Sequence, residues 1–95
     1  MTYSSSVQKE LVARSKAYLE GDATLLVQSP AIRNAQLREM IVFHEWRYYI
    51  QNDPVLSDFE YDHLYQMLEA LELDYPDLIT TDTPTQRVSS DVSNE

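Results

Sequence analysis

The fold is decided by residues 37–75, which read LREMIVFHEWRYYIQNDPVLSDFEYDHLYQMLEALELDY. In the first half of this stretch, side chains suited to a protein core recur every three or four residues, which places them on one helical face. These residues are Leu37, Met40, Ile41, His44 and Tyr48. Ser29 and Pro30 supply an N-cap and a first helical residue, and Asn-Asp-Pro at 52–54 ends the pattern. The sequence therefore predicts a long helix from about residue 30 to about residue 51.

A second helix follows after a short loop. Ser57 and Glu60 have the spacing of a capping box, in which each side chain accepts a hydrogen bond from the other residue's backbone amide. Behind the box, one stripe comprises Tyr61, Leu64, Tyr65, Leu68 and Leu71. The helical pattern ends near Tyr75 and Pro76. Because two helices joined by a short loop pack antiparallel, the sequence predicts an antiparallel pair of long helices.

The residues before this pair predict one more helix. A serine at 4–6 can cap a helix from Val7 to Glu20, and the single glycine, Gly21, is a natural stop. Its core face is predicted to hold Val7, Leu11 and Tyr18. Residues 22–28 are compatible with either one helical turn or a packed connector. Since strand-like alternation is scarce, the predicted fold class is all-α, a small helical bundle built on the antiparallel pair plus an N-terminal helix.

The chain divides into three segments by pattern and composition. Residues 1–36 form an N-terminal helical extension, and residues 37–78 form the helical hairpin, whose first helix starts at about residue 30. Residues 79–95 are rich in Thr, Asp, Pro and Ser and lack helical periodicity, so they are predicted to be a polar linker-like tail.

Composition and charge exclude several classes of function. The chain has 95 residues and no cysteine, so it holds one small domain without disulfides or thiolate metal sites. No apolar run is long enough to span a bilayer, and a cytoplasmic protein without membrane contact is expected. Residues 1–47 carry six basic and five acidic side chains, whereas residues 48–95 carry one basic and eleven acidic ones. Such an acidic half repels phosphates, so direct nucleic-acid binding is not expected, and a solubilising surface is its simplest explanation.

Five residues near the junction of the two long helices form a candidate ligand site: Tyr48, Tyr49, Asp58, Tyr61 and Asp62. Because Tyr61 and Asp62 lie three and four residues after Asp58, these three share one helical face. Phenol rings can stack on a flat cationic ring, and carboxylates can accept hydrogen bonds from ribose hydroxyls. In the simpler interpretation, the aspartates complement the helix dipole and the tyrosines belong to the core. Spacing alone leaves both interpretations open.

The segment 37–88 also resembles a known family. Its ordered motifs are Tyr-Tyr at 48–49, Asp-Pro at 53–54, Ser-Asp-Phe-Glu-Tyr-Asp at 57–62, Leu-Glu-Ala-Leu-Glu at 68–72 and Thr-Pro-Thr-Gln-Arg-Val at 83–88. In order and spacing they are similar to the N-terminal domain, called Ia, of NAD-dependent DNA ligases. The resemblance implies recognition of NAD through its nicotinamide mononucleotide (NMN) moiety, with contacts from Tyr48, Tyr49, Asp58, Tyr61 and Asp62.

The resemblance further implies a supporting part in DNA repair and replication. In that family a lysine of the next domain attacks the α-phosphorus of NAD, and NMN leaves; the Ia domain orients this leaving group. No Lys-x-Asp-Gly motif occurs here, since Lys9 and Lys16 are followed by other residues. We therefore expect no ligase activity from this chain alone. We also expect NMN binding to be weak or lost, because half of a two-domain clamp makes fewer contacts.

Two other functions stay open at this point. One is a protein-interaction or regulatory module derived from the same domain, whose acidic face docks on a partner such as a nucleotidyltransferase. The other is an acidic mimic of nucleic acid. A metal site is not expected, because His44 and His63 lie on different helices and His63 is five residues past Asp58. Arg87 is a weak candidate for a phosphate contact in a complex.

Overall fold

The computed structural model describes residues 3–81 and 83–85. This part of the chain contains four α-helices: α1 (Ser5–Leu19), α2 (Ala23–Leu26), α3 (Pro30–Tyr49) and α4 (Asp58–Asp74). A single 3₁₀ turn, Pro76–Leu78, follows α4, and the described residues form no strand. The all-α prediction is confirmed. No described helix has both the length and the apolar character needed to cross a membrane.

Helices α3 and α4 form the antiparallel pair that organises the domain, and they make the most extensive contact between elements. Ser29 caps α3 by accepting a hydrogen bond from the amide of Ile32 at 3.3 Å, with Pro30 in the first turn. At the start of α4, Ser57 and Glu60 form the predicted capping box. Its two hydrogen bonds measure 3.1 and 2.9 Å. Helix starts are thus fixed by local sequence, as predicted.

The core lies between α1, α3 and α4. Its buried apolar side chains are Leu11, Tyr18, Leu37, Met40, Ile41, Phe43, Leu56, Leu64, Leu68 and Leu71. The predicted faces are confirmed at their leucine, methionine and isoleucine positions and at Tyr18 and His44. Val7 and Tyr48, predicted on the same faces, are instead 38% and 51% exposed. Tyr3, which precedes α1, covers the neighbouring rings instead: its ring centroid lies 5.1 Å from Phe43 and 4.9 Å from Trp46.

The connection from α1 to α3 contains one helical turn, which settles the alternative that the sequence left open. Gly21 has φ +77°, a left-handed conformation that ends α1 at little cost for glycine. Asp22 then caps α2 through its carboxylate, which accepts hydrogen bonds from the amide and the hydroxyl of Thr24 at 2.9 and 2.6 Å.

The segment after α4 returns to the body of the domain. Thr83 and Pro84 are fully buried. The buried carboxylate of Glu72 accepts one hydrogen bond from the hydroxyl of Thr83, at 2.6 Å, and another from the hydroxyl of Thr85. We call this group the Glu72 clasp. The three-segment division of the chain stays a prediction, and Arg87, Val88 and the rest of 86–95 lie outside the described residues.

Candidate functional site

A cavity of about 320 Å³ opens where the end of α3, the loop 50–57 and the start of α4 meet. Its described lining residues are His44, Glu45, Tyr48, Tyr49, Pro54, Val55, Leu56, Asp58, Tyr61 and Asp62. All five residues of the candidate ligand site are therefore brought together. Among the described residues, none from 3–36 lines the cavity, so that part of the N-terminal segment leaves it uncovered.

Tyr48 and Tyr49 form an aromatic surface at the end of α3. Their rings are stacked on each other, with centroids 4.8 Å apart and planes inclined by 12°. The two side chains are 51% and 75% exposed, so they are not the core tyrosines of the simpler interpretation. Exposed phenol rings offer a face to a flat or cationic ligand group.

Tyr61 lies deeper in the cavity and belongs partly to the core. Its hydroxyl donates a hydrogen bond to the carboxylate of Glu45 at 3.2 Å, which joins α4 to α3. Burial, and after it the charge of Glu45, raises the pKa of Tyr61 well above its usual range. The phenol therefore stays protonated and acts as a donor towards Glu45 at any physiological pH.

Asp58 and Asp62 lie one turn apart on the first turns of α4, and both are exposed. No described residue donates a hydrogen bond to either carboxylate. The capping box at Ser57 and Glu60 already satisfies the helix start, so the two aspartates are not needed as side-chain caps. Their oxygens are left to solvent or to a ligand.

His44 lies at the base of the cavity and is only 4% exposed. Ser15 uses its single hydroxyl proton to donate to the carbonyl of Leu11 at 2.7 Å, so Nε2–H of His44 donates to Ser15 Oγ at 2.9 Å. Nδ1 then carries no proton and has no hydrogen-bond partner among the described residues. Burial, followed by the charge of Arg47, lowers the pKa of His44 to about 4. The imidazole is therefore neutral at physiological pH.

Residues 27–89 match the protein family described as "DNA ligase-like, N-terminal NAD+-binding domain". The chain belongs to this family. The resemblance inferred from the motifs at 48–62 and 68–72 is thereby confirmed.

Curated DNA ligases are similar to the chain over this N-terminal NAD+-binding domain. The DNA ligase of Sulfurihydrogenibium sp. (strain YO3AOP1) is 46% identical over 92 residues, which cover 96% of this chain and 13% of that ligase. The DNA ligase of Aquifex aeolicus is 41% identical over 91 residues, 93% of this chain and 13% of that protein. The DNA ligase of Pseudomonas aeruginosa (strain LESB58) is 52% identical over 62 residues, 65% of this chain and 8% of that protein.

These alignments cover most of this chain but only a small part of each ligase. Because two of them cover more than nine tenths of the chain, most of residues 1–36 also have counterparts in those ligases. In the other direction, the matched residues span only 8–13% of the length of these relatives. The NAD+-binding domain is therefore what the two have in common, and the catalytic domains of a ligase are absent from these 95 residues.

Five residues that line the cavity of this NAD+-binding domain were not predicted from the sequence: His44, Glu45, Pro54, Val55 and Leu56. The signal for Glu45 was available, because it lies three and four residues before the tyrosine pair and so shares its helical face. His44 was recognised as a member of the apolar face, but periodicity gave no sign that it borders a cavity. Within the described residues, no group of three or more potential metal ligands is present.

Proposed function

We propose that this chain binds the NMN half of NAD+ in the cavity between α3 and α4. The observation that carries the proposal is the convergence of Tyr48, Tyr49, Asp58, Tyr61 and Asp62 on one open cavity in a chain of the NAD+-binding family. The five residues come from two helix ends separated by an eight-residue loop. That they line one cavity supports a common role in binding one ligand.

The size of the cavity favours half of the dinucleotide. Sites for small molecules usually enclose about 300–1,000 Å³. At about 320 Å³ this cavity is near the lower limit, which suits one ring and one sugar better than a complete dinucleotide. The adenosine half of NAD+ would then extend beyond this chain.

The contacts follow from the chemistry of the lining. The pyridinium ring stacks on the exposed faces of Tyr48 and Tyr49, and the ribose hydroxyls donate hydrogen bonds to Asp58 and Asp62. None of these groups attacks or protonates the phosphoanhydride, so the chain holds and orients a leaving group. We therefore expect no nucleotide transfer or DNA ligation by this chain alone, and a role in DNA replication or repair only as part of a complete ligase.

The proposal is tested by titrating the full chain with NMN and following backbone amide shifts by NMR. Shifts should concentrate at residues 44–62, with a dissociation constant in the millimolar range, because half of a clamp binds weakly. Asp62→Asn and Tyr48→Leu should each weaken binding several-fold. Asp74→Asn removes the same charge at the opposite end of α4 and should leave binding unchanged. Absence of shifts at millimolar NMN would rule out the proposed function.

The surroundings of the cavity also favour a second function, docking on another protein. Ile50 and Phe59, which flank the cavity in sequence, are 69% and 79% exposed, and Tyr49 beside Ile50 is 75% exposed. Apolar side chains exposed together are typical of interaction surfaces. A nucleotidyltransferase that closes over the same face would bury them together with the nicotinamide ring. Phe59→Ser should then abolish capture of the partner from native extract while leaving NMN shifts intact.

A further inference from the structure

The ionised side chains that line the cavity are all acidic. Three of its lining side chains, Glu45, Asp58 and Asp62, are carboxylates, and none of its described lining residues is lysine or arginine. His44 adds no positive charge, because burial and the nearby Arg47 keep its pKa far below neutral. A ligand phosphate therefore finds no cation in the described wall of this site.

Arg47, the arginine nearest in sequence to the tyrosine pair, is engaged elsewhere. Its Nε donates to the carbonyl of Asp53 and its Nη2 to the Asp53 carboxylate, both at 2.9 Å, while Nη1 donates to Gln8 at 3.1 Å. The side chain lines a different depression, with Lys9 and Val12. Recruiting Arg47 to a phosphate would require breaking its ion pair with Asp53.

The lining offers hydrogen-bond acceptors in excess. The carboxylates of Asp58 and Asp62 receive no hydrogen bond from a described residue, and Nδ1 of the buried His44 likewise has no partner within residues 3–81 and 83–85. A complementary ligand is a cation that donates hydrogen bonds. Nicotinamide riboside meets this description, with a pyridinium ring, a carboxamide NH₂ and sugar hydroxyls. A phosphate group is the opposite, since it is an acceptor with a charge of about −1.5 to −2 at neutral pH.

We propose that the cavity binds the cationic nicotinamide riboside moiety, and that the 5′-phosphate of NMN adds nothing to the affinity. The proposal rests on the proposed function and defines its ligand more closely: the nucleoside, not the nucleotide, is the preferred occupant of this chain alone. In a complete assembly the phosphate would be received by basic groups of another domain. The acidic half of this domain would then face the ring and sugar, and help release the phosphate-bearing product.

The charge difference sets the expected affinities. Replacing NMN by the riboside changes the ligand from a net anion to a net cation within the field of a chain of charge −9. The riboside should bind at least about threefold more tightly than NMN in roughly 0.02 M salt, and the ratio should approach one in about 0.5 M salt, where charges are screened within a few ångströms. Benzamide riboside, whose ring is neutral, should bind about tenfold more weakly than nicotinamide riboside.

The experiment titrates the full chain with nicotinamide riboside, NMN and benzamide riboside, each at the two salt concentrations, using amide shifts at 44–62 as the readout. Asp62→Asn should lower the affinity for nicotinamide riboside by more than that for NMN. Asp74→Asn, at the other end of α4, is the matched control and should change neither.

The outcomes distinguish failure of this inference from failure of the proposed NMN binding. Tighter binding of NMN than of the riboside overturns the inference and leaves nicotinamide nucleotide binding intact. Equal binding of benzamide riboside and nicotinamide riboside also overturns it, because the positive ring would then contribute nothing. If neither NMN nor the riboside shifts any amide at millimolar concentration, the proposed function itself fails.

Discussion

The two ends of α4 hold carboxylates in opposite situations. At the C-terminal end, Glu72 is 4% exposed and accepts hydrogen bonds from the hydroxyls of Thr83 and Thr85. At the N-terminal end, Asp58 and Asp62 are exposed beside a cavity and receive no hydrogen bond from a described residue. A carboxylate that serves the fold is satisfied by donors of its own chain. One that is left without donors next to a cavity is available to a ligand.

The largest effect on stability is expected at His44. This residue lines the cavity near Asp58 and Asp62, but it is as buried as Glu72. Its pKa of about 4 in the folded chain lies below the usual 6.5, so the unfolded chain binds the proton more readily. The free energy of unfolding should therefore fall as the pH drops from about 6.5 to about 4, by up to about 3 kcal/mol from this residue. Urea unfolding at a series of pH values measures the loss.

The control separates His44 from the carboxylates that also titrate in acid. The stability difference between wild type and His44→Gln should shrink steadily over the same pH interval, since glutamine cannot take up the proton. His63→Gln removes the exposed imidazole of α4 instead. A difference between wild type and His44→Gln that stays constant with pH would contradict the assignment.

The next largest effect on stability is expected at the Glu72 clasp, at the C-terminal end of α4. Thr83→Val keeps the shape of a fully buried side chain but removes one donor to Glu72, and should cost about 1–3 kcal/mol because a buried carboxylate oxygen loses its partner. Thr24→Val removes the same type of bond, to Asp22 at 2.6 Å, on an exposed surface and should cost less than about 0.5 kcal/mol. Equal losses in thermal unfolding would show that burial of the Glu72 clasp has no energetic weight.

A smaller effect distinguishes helix stability from site geometry. Ser57→Ala and Ser29→Ala each remove an N-cap and should each cost about 1 kcal/mol in urea unfolding. Only Ser57 precedes the aspartates of the cavity, and its loss frees the first turn of α4. NMN binding should therefore weaken in Ser57→Ala and remain unchanged in Ser29→Ala. Equal binding by both variants would mean that the capping box does not position Asp58.

The smallest change in stability should accompany a clear change in binding. Asp62→Asn should alter the free energy of unfolding by less than about 0.5 kcal/mol, as exposed substitutions usually do, while weakening NMN several-fold. Glu72→Gln should do the reverse, because it disturbs one buried and one partly buried hydrogen bond at the other end of the helix. If both variants lower stability alike, the distinction between the two ends of α4 is wrong.

The sequence predicts this molecule well where the information is local. Ser29, Pro30 and the box at 57–60 announce the helix starts, and the spacing of Asp58, Tyr61 and Asp62 places them on one face. The five candidate residues do line one cavity, although their role as ligand contacts stays a prediction. Local signals of this kind act within one or two helical turns.

Contacts between distant residues were beyond sequence reasoning. Thr83 and Thr85 lie 11 and 13 residues from Glu72, in a polar stretch whose composition is equally typical of a linker. The contact between Ser15 and His44 joins residues 29 positions apart. Helical periodicity indicates only which face of its helix each residue occupies, not which residue it contacts. Such pairs depend on how helices pack, which a pattern along one chain does not specify.

Because Ser15 and His44 share a buried hydrogen bond, a substitution at one of them should be compensated by a substitution at the other. Ser15 lies on α1, before the segment 27–89 that matches the family, whereas His44 lies inside that segment. Ser15→Ala alone strands a buried imidazole N–H without an acceptor, but Ser15→Ala combined with His44→Leu removes donor and acceptor together and restores an apolar contact. Genetic selection for second-site revertants of Ser15→Ala should therefore yield substitutions at His44, at the base of the cavity and on a different helix.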